Sequence, residues 1–128
     1  MTPLEVQDIW PNDSFGWDEF LKYVSPDPYE DDAWFTVAVG IEGEKGGTDF
    51  QVHVATPASI GRIKQSLGRF QGLIVDEFTP ANVEQAIRTA VREASGLTFY
   101  DGLDRLRQLM FWEYEGMAGT TRPRRQRN

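Results

Sequence analysis

The chain has 128 residues, a formal net charge of −7 and no cysteine, which rules out a disulfide framework, a thiol nucleophile and a cysteine-ligated metal. Forty per cent of its residues are apolar, with eight Phe, four Trp and four Tyr, enough for one domain with a core of its own and too much for an acidic disordered tail. The net charge argues against nucleic-acid binding through the folded body, because phosphate neutralisation needs clustered Lys and Arg.

The acid is also unevenly placed. Residues 1–49 hold twelve Asp/Glu and two Lys, a formal balance of −10, whereas residues 50–121 are close to neutral. The last seven residues, Arg122 to Asn128, carry four Arg and no acid. A concentrated negative field draws basic partners and speeds their encounter. The N-terminus lacks the basic and apolar regions of a signal peptide, and no apolar run approaches the ~20 residues that span a bilayer. The expectation is a cytoplasmic protein with no membrane association.

In chain order, Leu4, Val6 and the pair Ile9-Trp10 give an imperfect alternation, read as a first strand that stops at Pro11. Phe15–Val24 puts Trp17, Phe20, Leu21 and Val24 at helical spacing and predicts a short helix. Ser25–Asp32 is a loop, with two prolines and four carboxylates. Ala33–Ile41 and Thr48–Ala55 are strand-like runs joined by a glycine-rich turn, which predicts a hairpin. Thr56 as N-cap and Pro57 open a helix to about Ser66, with Ile60, Ile63 and Leu67 as its apolar side.

Leu73–Phe78 follows as a strand. Thr79-Pro80 starts a second helix, whose stripe is Val83, Ile87, Ala90, Val91 and Ala94, ended by Gly96. Thr98 and Asp101 form a capping box that opens a last helix, on which Leu103, Leu106, Met110, Phe111 and Tyr114 share a face. The predicted fold is α+β: a small antiparallel or mixed sheet of about four strands, including the 33–41/48–55 hairpin, with helices on one face. It forms one domain over residues 1–117, followed by a flexible Arg-rich tail over 118–128.

Candidate chemistry is sparse. His53 is the only histidine, so a two-histidine metal site is impossible, and a strand histidine is more often an ordinary satisfied side chain than a catalyst. Asp27, Glu30, Asp31 and Asp32 lack the spacing of a calcium-binding loop; they are either solvated or face a basic partner. The glycines of residues 40–47 are followed by a strand and not by Lys-Ser/Thr and a helix, which excludes a phosphate-binding loop. Glu42 and Glu44 on that turn join the acidic surface if the turn and the 25–32 loop lie close. Trp112 falls off the apolar stripe of the last helix, so it either covers a second apolar surface or anchors an interface. The Arg tail reads first as a solvated segment, with weak anion binding or a fold-back onto the acidic surface as alternatives. No metal and no cofactor is expected.

One stretch resembles a known family. Gly40, Gly43, Gly46, Phe50 and Val54, followed by Thr56-Pro57, are similar to the glycine-phenylalanine-Thr-Pro pattern of the bacterial immunity protein 8 family, and the likeness runs over roughly residues 33–117. Two positions depart from it: Ala55 stands where the family often has cysteine, and Ser59 where it often has an aromatic. The resemblance implies an immunity protein encoded beside a polymorphic toxin, which protects the producing cell by binding that toxin. It implies no catalytic residues, and its glycines and Thr-Pro are expected to be structural. The charge distribution separately points to a basic partner, such as a nuclease toxin. The expected toxin-binding residues are Asp27, Glu30, Asp31, Asp32, Glu42, Glu44 and Trp112. The competing readings are a generic acidic adaptor or regulatory subunit, and a small hydrolase pairing His53 with two carboxylates.

Overall fold

The computed structural model describes residues 1–13 and 16–113. Phe15, Tyr114 and the Arg-rich tail, all assigned above, lie outside the described residues. The elements are β1 (Leu4–Pro11), α1 (Trp17–Phe20), β2 (Asp32–Ile41), β3 (Thr48–Ala55), α2 (Pro57–Leu67), β4 (Leu73–Ile74), α3 (Pro80–Glu93), α4 (Phe99–Leu106) and β5 (Phe111–Trp112). The five strands form one sheet in the order β1-β2-β3-β4, with β5 also paired to β3. β1, β2, β3 and β5 pair antiparallel, and β4 runs parallel to β3. The α+β expectation holds, with one strand more than anticipated.

Strand alternation builds the core. Phe35, Val37 and Val39 of β2 and Phe50, Val52 and Val54 of β3 are all 0% exposed and share one face. Val83, Ile87 and Val91 of α3, Leu103 and Leu106 of α4, and Met110 join them in one apolar cluster. Burying each such side chain stabilises the fold by about 1.5–3 kcal/mol. Against the expectation of helices on one face, α2 meets the opposite face, for its Arg62 bonds Asp32, which alternation places across the sheet from Phe35. Its buried Ile63 lies outside the apolar cluster.

The imperfect alternation of the first strand has a physical cause. The β1–β2 register shifts between Val6 and Asp8, a bulge at Gln7 that returns Ile9 to the core face opposite Val37. Both later caps form as expected: Thr79 Oγ1 accepts from the Asn82 amide, and Thr98 and Asp101 make a reciprocal capping box. Thr56 holds the N-cap position of α2 without capping it through its side chain. Its hydroxyl instead accepts from the Asp31 amide at 3.1 Å.

Three boundaries differ from expectation. The helix anticipated over Phe15–Val24 contracts to α1, leaving Leu21 49% and Val24 85% exposed; only Phe20 from that stripe is fully buried. The strand expected over Leu73–Phe78 pairs through Leu73 and Ile74 alone, after which the chain turns so that the Phe78 amide donates to Pro28 O. The last helix stops at Leu106, and Phe111-Trp112 add a short strand to β3. β4 and β5 thus occupy successive stretches of the same β3 edge, a long-range pairing that local spacing does not report.

Candidate functional site

The acidic 25–32 loop is tied to the domain through its own carboxylates. Asp31 accepts from the Ser25 hydroxyl at 2.6 Å, from the Tyr23 phenol and from the Asp32 amide. The Asp31 carbonyl accepts from the Thr56 amide at 3.0 Å and the Ser59 hydroxyl at 3.2 Å. Asp27 Oδ1 accepts from the Tyr29 amide at 3.1 Å, closing the turn after Pro26. Glu30 is exposed on this loop. Ser59, where the family pattern often has an aromatic, is fully buried and serves this anchor.

Asp32 opens β2 and sits between two donors: His53 Nε2 lies 2.6 Å from its Oδ2 and Arg62 Nη2 lies 2.8 Å from its Oδ1. Burial by itself would raise the Asp32 pKa, but the hydrogen bonds from His53 and Arg62 outweigh it and hold the carboxyl below its ordinary value. The His53 ring is stacked on Trp34, with centroids 4.4 Å apart, and is 2% exposed. Beside it is a cavity of about 170 Å³, lined with Trp34, Leu67, Arg69, Gln71 and Phe111 and with no carboxylate among the described residues. The hydrolase reading needs two converging carboxylates beside His53; the carboxylate bonded to His53, that of Asp32, is already held by an arginine. Among the described residues no three His, Asp or Glu are placed to hold a metal ion.

The other acidic group lies elsewhere. Glu42 and Glu44 are exposed on the turn after β2, and Asp32 begins that strand. Ten residues of strand separate the two groups, about 30 Å at the strand rise. The condition for a single acidic patch containing both is therefore not met. This turn is a packed device in its own right. Gly43 and Gly46 adopt φ of 81° and 84°, where a side chain is strained. Gln7, the bulged residue of β1, lays its amide across the turn and donates to Glu44 O and Gly46 O, each at 3.0 Å. A Cβ on Gly40 would stand 2.2 Å from Gln7 Nε2 and 2.6 Å from Gly46 O. The φ of Gly43 and Gly46 and the close approach at Gly40 favour glycine, and Phe50 is fully buried. Pro57 takes the first turn of α2.

Trp112 is half-buried against the core, opposite Phe50, and its Nε1 donates to Thr48 Oγ1 at 2.7 Å. Glu113 follows, accepting from Thr48 Oγ1 at 2.7 Å and from the Asp49 amide at 3.1 Å. Burial raises the Asp49 pKa, and the negative charges of Glu113 and Asp8 raise it further. The sheet face bearing His53 also carries a hydrogen-bonded set unforeseen from sequence: Thr36 Oγ1 donates to Asn12 Oδ1 at 2.7 Å and accepts from Gln51 Nε2 at 3.0 Å. The signal for it was present as Thr36 and Gln51 in facing strands, but only the register Thr36↔Gln51 makes them partners.

Among the described residues, no helix is long and apolar enough to cross a membrane. No curated protein and no solved structure matches the chain. The family model described as immunity protein 8 matches residues 12–117, taking in the acidic loop, the glycine turn, α2 to α4 and β5. With most of its length inside that match, the chain belongs to the immunity protein 8 family, and so to the proteins that confer immunity to a toxin.

Proposed function

We propose that the chain protects the cytoplasm of its producing cell by binding and occluding a cognate toxin that presents a basic surface, as a nuclease domain does, and that it performs no chemistry itself. The observation that carries this reading is the family match, taken with the formal −10 balance of the first 49 residues. Of the six candidate carboxylates, Asp27, Glu30, Glu42 and Glu44 are the ones left exposed to steer the toxin. Asp31 adds to the field while it and Asp32 hold the loop in place, and Trp112 supports the edge on which the turn is mounted.

Co-expression with the protein encoded by the neighbouring open reading frame tests the immunity reading: growth is rescued and the two proteins co-purify. Loss of rescue in the presence of well-folded protein would refute it. The electrostatic component has its own measurement. Association should reach the order of 10⁸ M⁻¹s⁻¹ at low salt and slow steeply as salt rises; an on-rate indifferent to ionic strength would remove the basic surface from the proposal.

A further inference from the structure

Between α1 and the adjoining ends of β1 and β2 is a cavity of about 540 Å³. Its apolar wall is made by Phe20, Tyr23, Ala33 and Phe78. The aromatic rings are mutually braced, with Phe20 stacked on Tyr23 at 5.8 Å and Phe78 edge-on to both at 6.3 and 6.1 Å. Four carboxylates also line it, from Asp13, Glu19, Asp31 and Asp32. Of these, Asp32 is neutralised by Arg62. Asp31 is bonded by uncharged donors, Tyr23 and Ser25.

Asp13 and Glu19 are exposed at the mouth. Among the described residues of the lining the one cation, Lys22, is 3.9 Å from Glu19 with both side chains well exposed, a weak pair that an incoming group displaces at little cost. The Tyr23 pKa is raised, by burial first and then by its hydrogen bond to Asp31.

An aromatic wall beneath a carboxylate rim suits one kind of side chain. A guanidinium stacks on aromatic faces, takes two carboxylates at once and loses less on leaving water than an ammonium does. We infer that this cavity is the anchor pocket for an arginine side chain of the toxin, with its stem against Tyr23, the exposed ring of the wall, and its guanidinium between Asp13 and Glu19. The inference rests on the toxin-binding function proposed above and adds to it where the main contact is made: at the α1 end of the molecule, away from the Glu42/Glu44 turn. Interface energy concentrates in such filled pockets, while exposed charges chiefly affect encounter.

The test compares two charge-reversed variants of equal net charge, Asp13→Lys/Glu19→Lys and Glu42→Lys/Glu44→Lys, against the protein encoded by the neighbouring open reading frame. Thermal unfolding confirms the fold, and Asp13→Asn/Glu19→Gln serves if the reversal unfolds the chain. The cavity variant should lose at least about 30-fold in affinity, chiefly through faster dissociation. The turn variant should lose less than about tenfold, chiefly through slower association. Equal losses from both would mean that net charge alone matters and would overturn the pocket. Undiminished affinity of the cavity variant would overturn the pocket while leaving toxin binding intact. Failure of the unaltered chain to bind would overturn toxin binding, and the pocket with it.

Discussion

The two ends of the β2–β3 hairpin carry similar charge and use it differently. At the Asp31–Asp32 end the carboxylates are bonded to Tyr23, Ser25, His53 and Arg62 and secure the loop and α2 to the sheet. At the turn end the structure is secured by Gln7, Gly40, Gly46, by Trp112 of β5 and by Glu113 just after it, while Glu42 and Glu44 extend into solvent. Acidic residues close in sequence are therefore not equally available to a partner. What separates them is whether a donor from another element reaches the carboxylate.

The sharpest way to break this contrast is at the turn end. Trp112→Ala removes a half-buried indole and its bond to Thr48 and should destabilise the isolated chain by about 2–4 kcal/mol, seen as a lower denaturant midpoint. An unchanged midpoint, with toxin binding lost, would make Trp112 an interface anchor after all. At the loop end, Asp32→Asn leaves Arg62 without its anion and weakens the His53 bond, costing about 1–3 kcal/mol at neutral pH.

That loss should depend on pH with a definite sign. A carboxyl whose pKa is depressed by folding stabilises the native state above its unfolded value, about 3.9, and the contribution fades as pH falls through the folded value. The stability difference between Asp32→Asn and the unaltered chain should thus shrink as pH falls below about 3.9; a gap that stays constant would show that the carboxylate is not held by charge.

Gly40→Ala probes the turn from within. The added methyl meets Gln7 and the Gly46 carbonyl and should cost about 1–3 kcal/mol, partly recovered by adding Gln7→Ala, which relieves the first clash and not the second. Asp49→Asn has the reverse sign from Asp32→Asn. Because folding raises the Asp49 pKa, its ionisation opposes folding, and the variant should be as stable as the unaltered chain or slightly more so above about pH 4. The smallest effect belongs to Glu42→Gln/Glu44→Gln, whose stability should stay within about 0.5 kcal/mol while toxin association slows. A large loss of stability there would erase the distinction between the two ends.

Much of the architecture was legible along the chain. The hairpin, α2, α3 and the start of α4 follow from alternation, helical spacing and the Thr-Pro and Thr-x-x-Asp starts, and the glycine pattern identified the family. The imperfect run Leu4, Val6, Ile9 even recorded the Gln7 bulge, though its purpose, clamping a turn some forty residues later, was not visible. What misled was the segment Met110–Trp112. Met110 and Phe111 continue a helical stripe, yet the helix ends four residues earlier, because pairing with the free edge of β3 satisfies the backbone there and buries Trp112 beside Thr48.

The sequence by itself determined the charge asymmetry, the absence of thiol chemistry, the alternating core strands and the capped helices, since each depends on residues within a few positions of one another. The tertiary structure alone decided which carboxylates are bound and which are free, that His53 meets Asp32, and that an aromatic-walled, acid-rimmed cavity opens beside α1. Those properties arise where strands, helices and loops distant in sequence converge, and the six-residue turn between β2 and β3 leaves their register to packing, not to local preference.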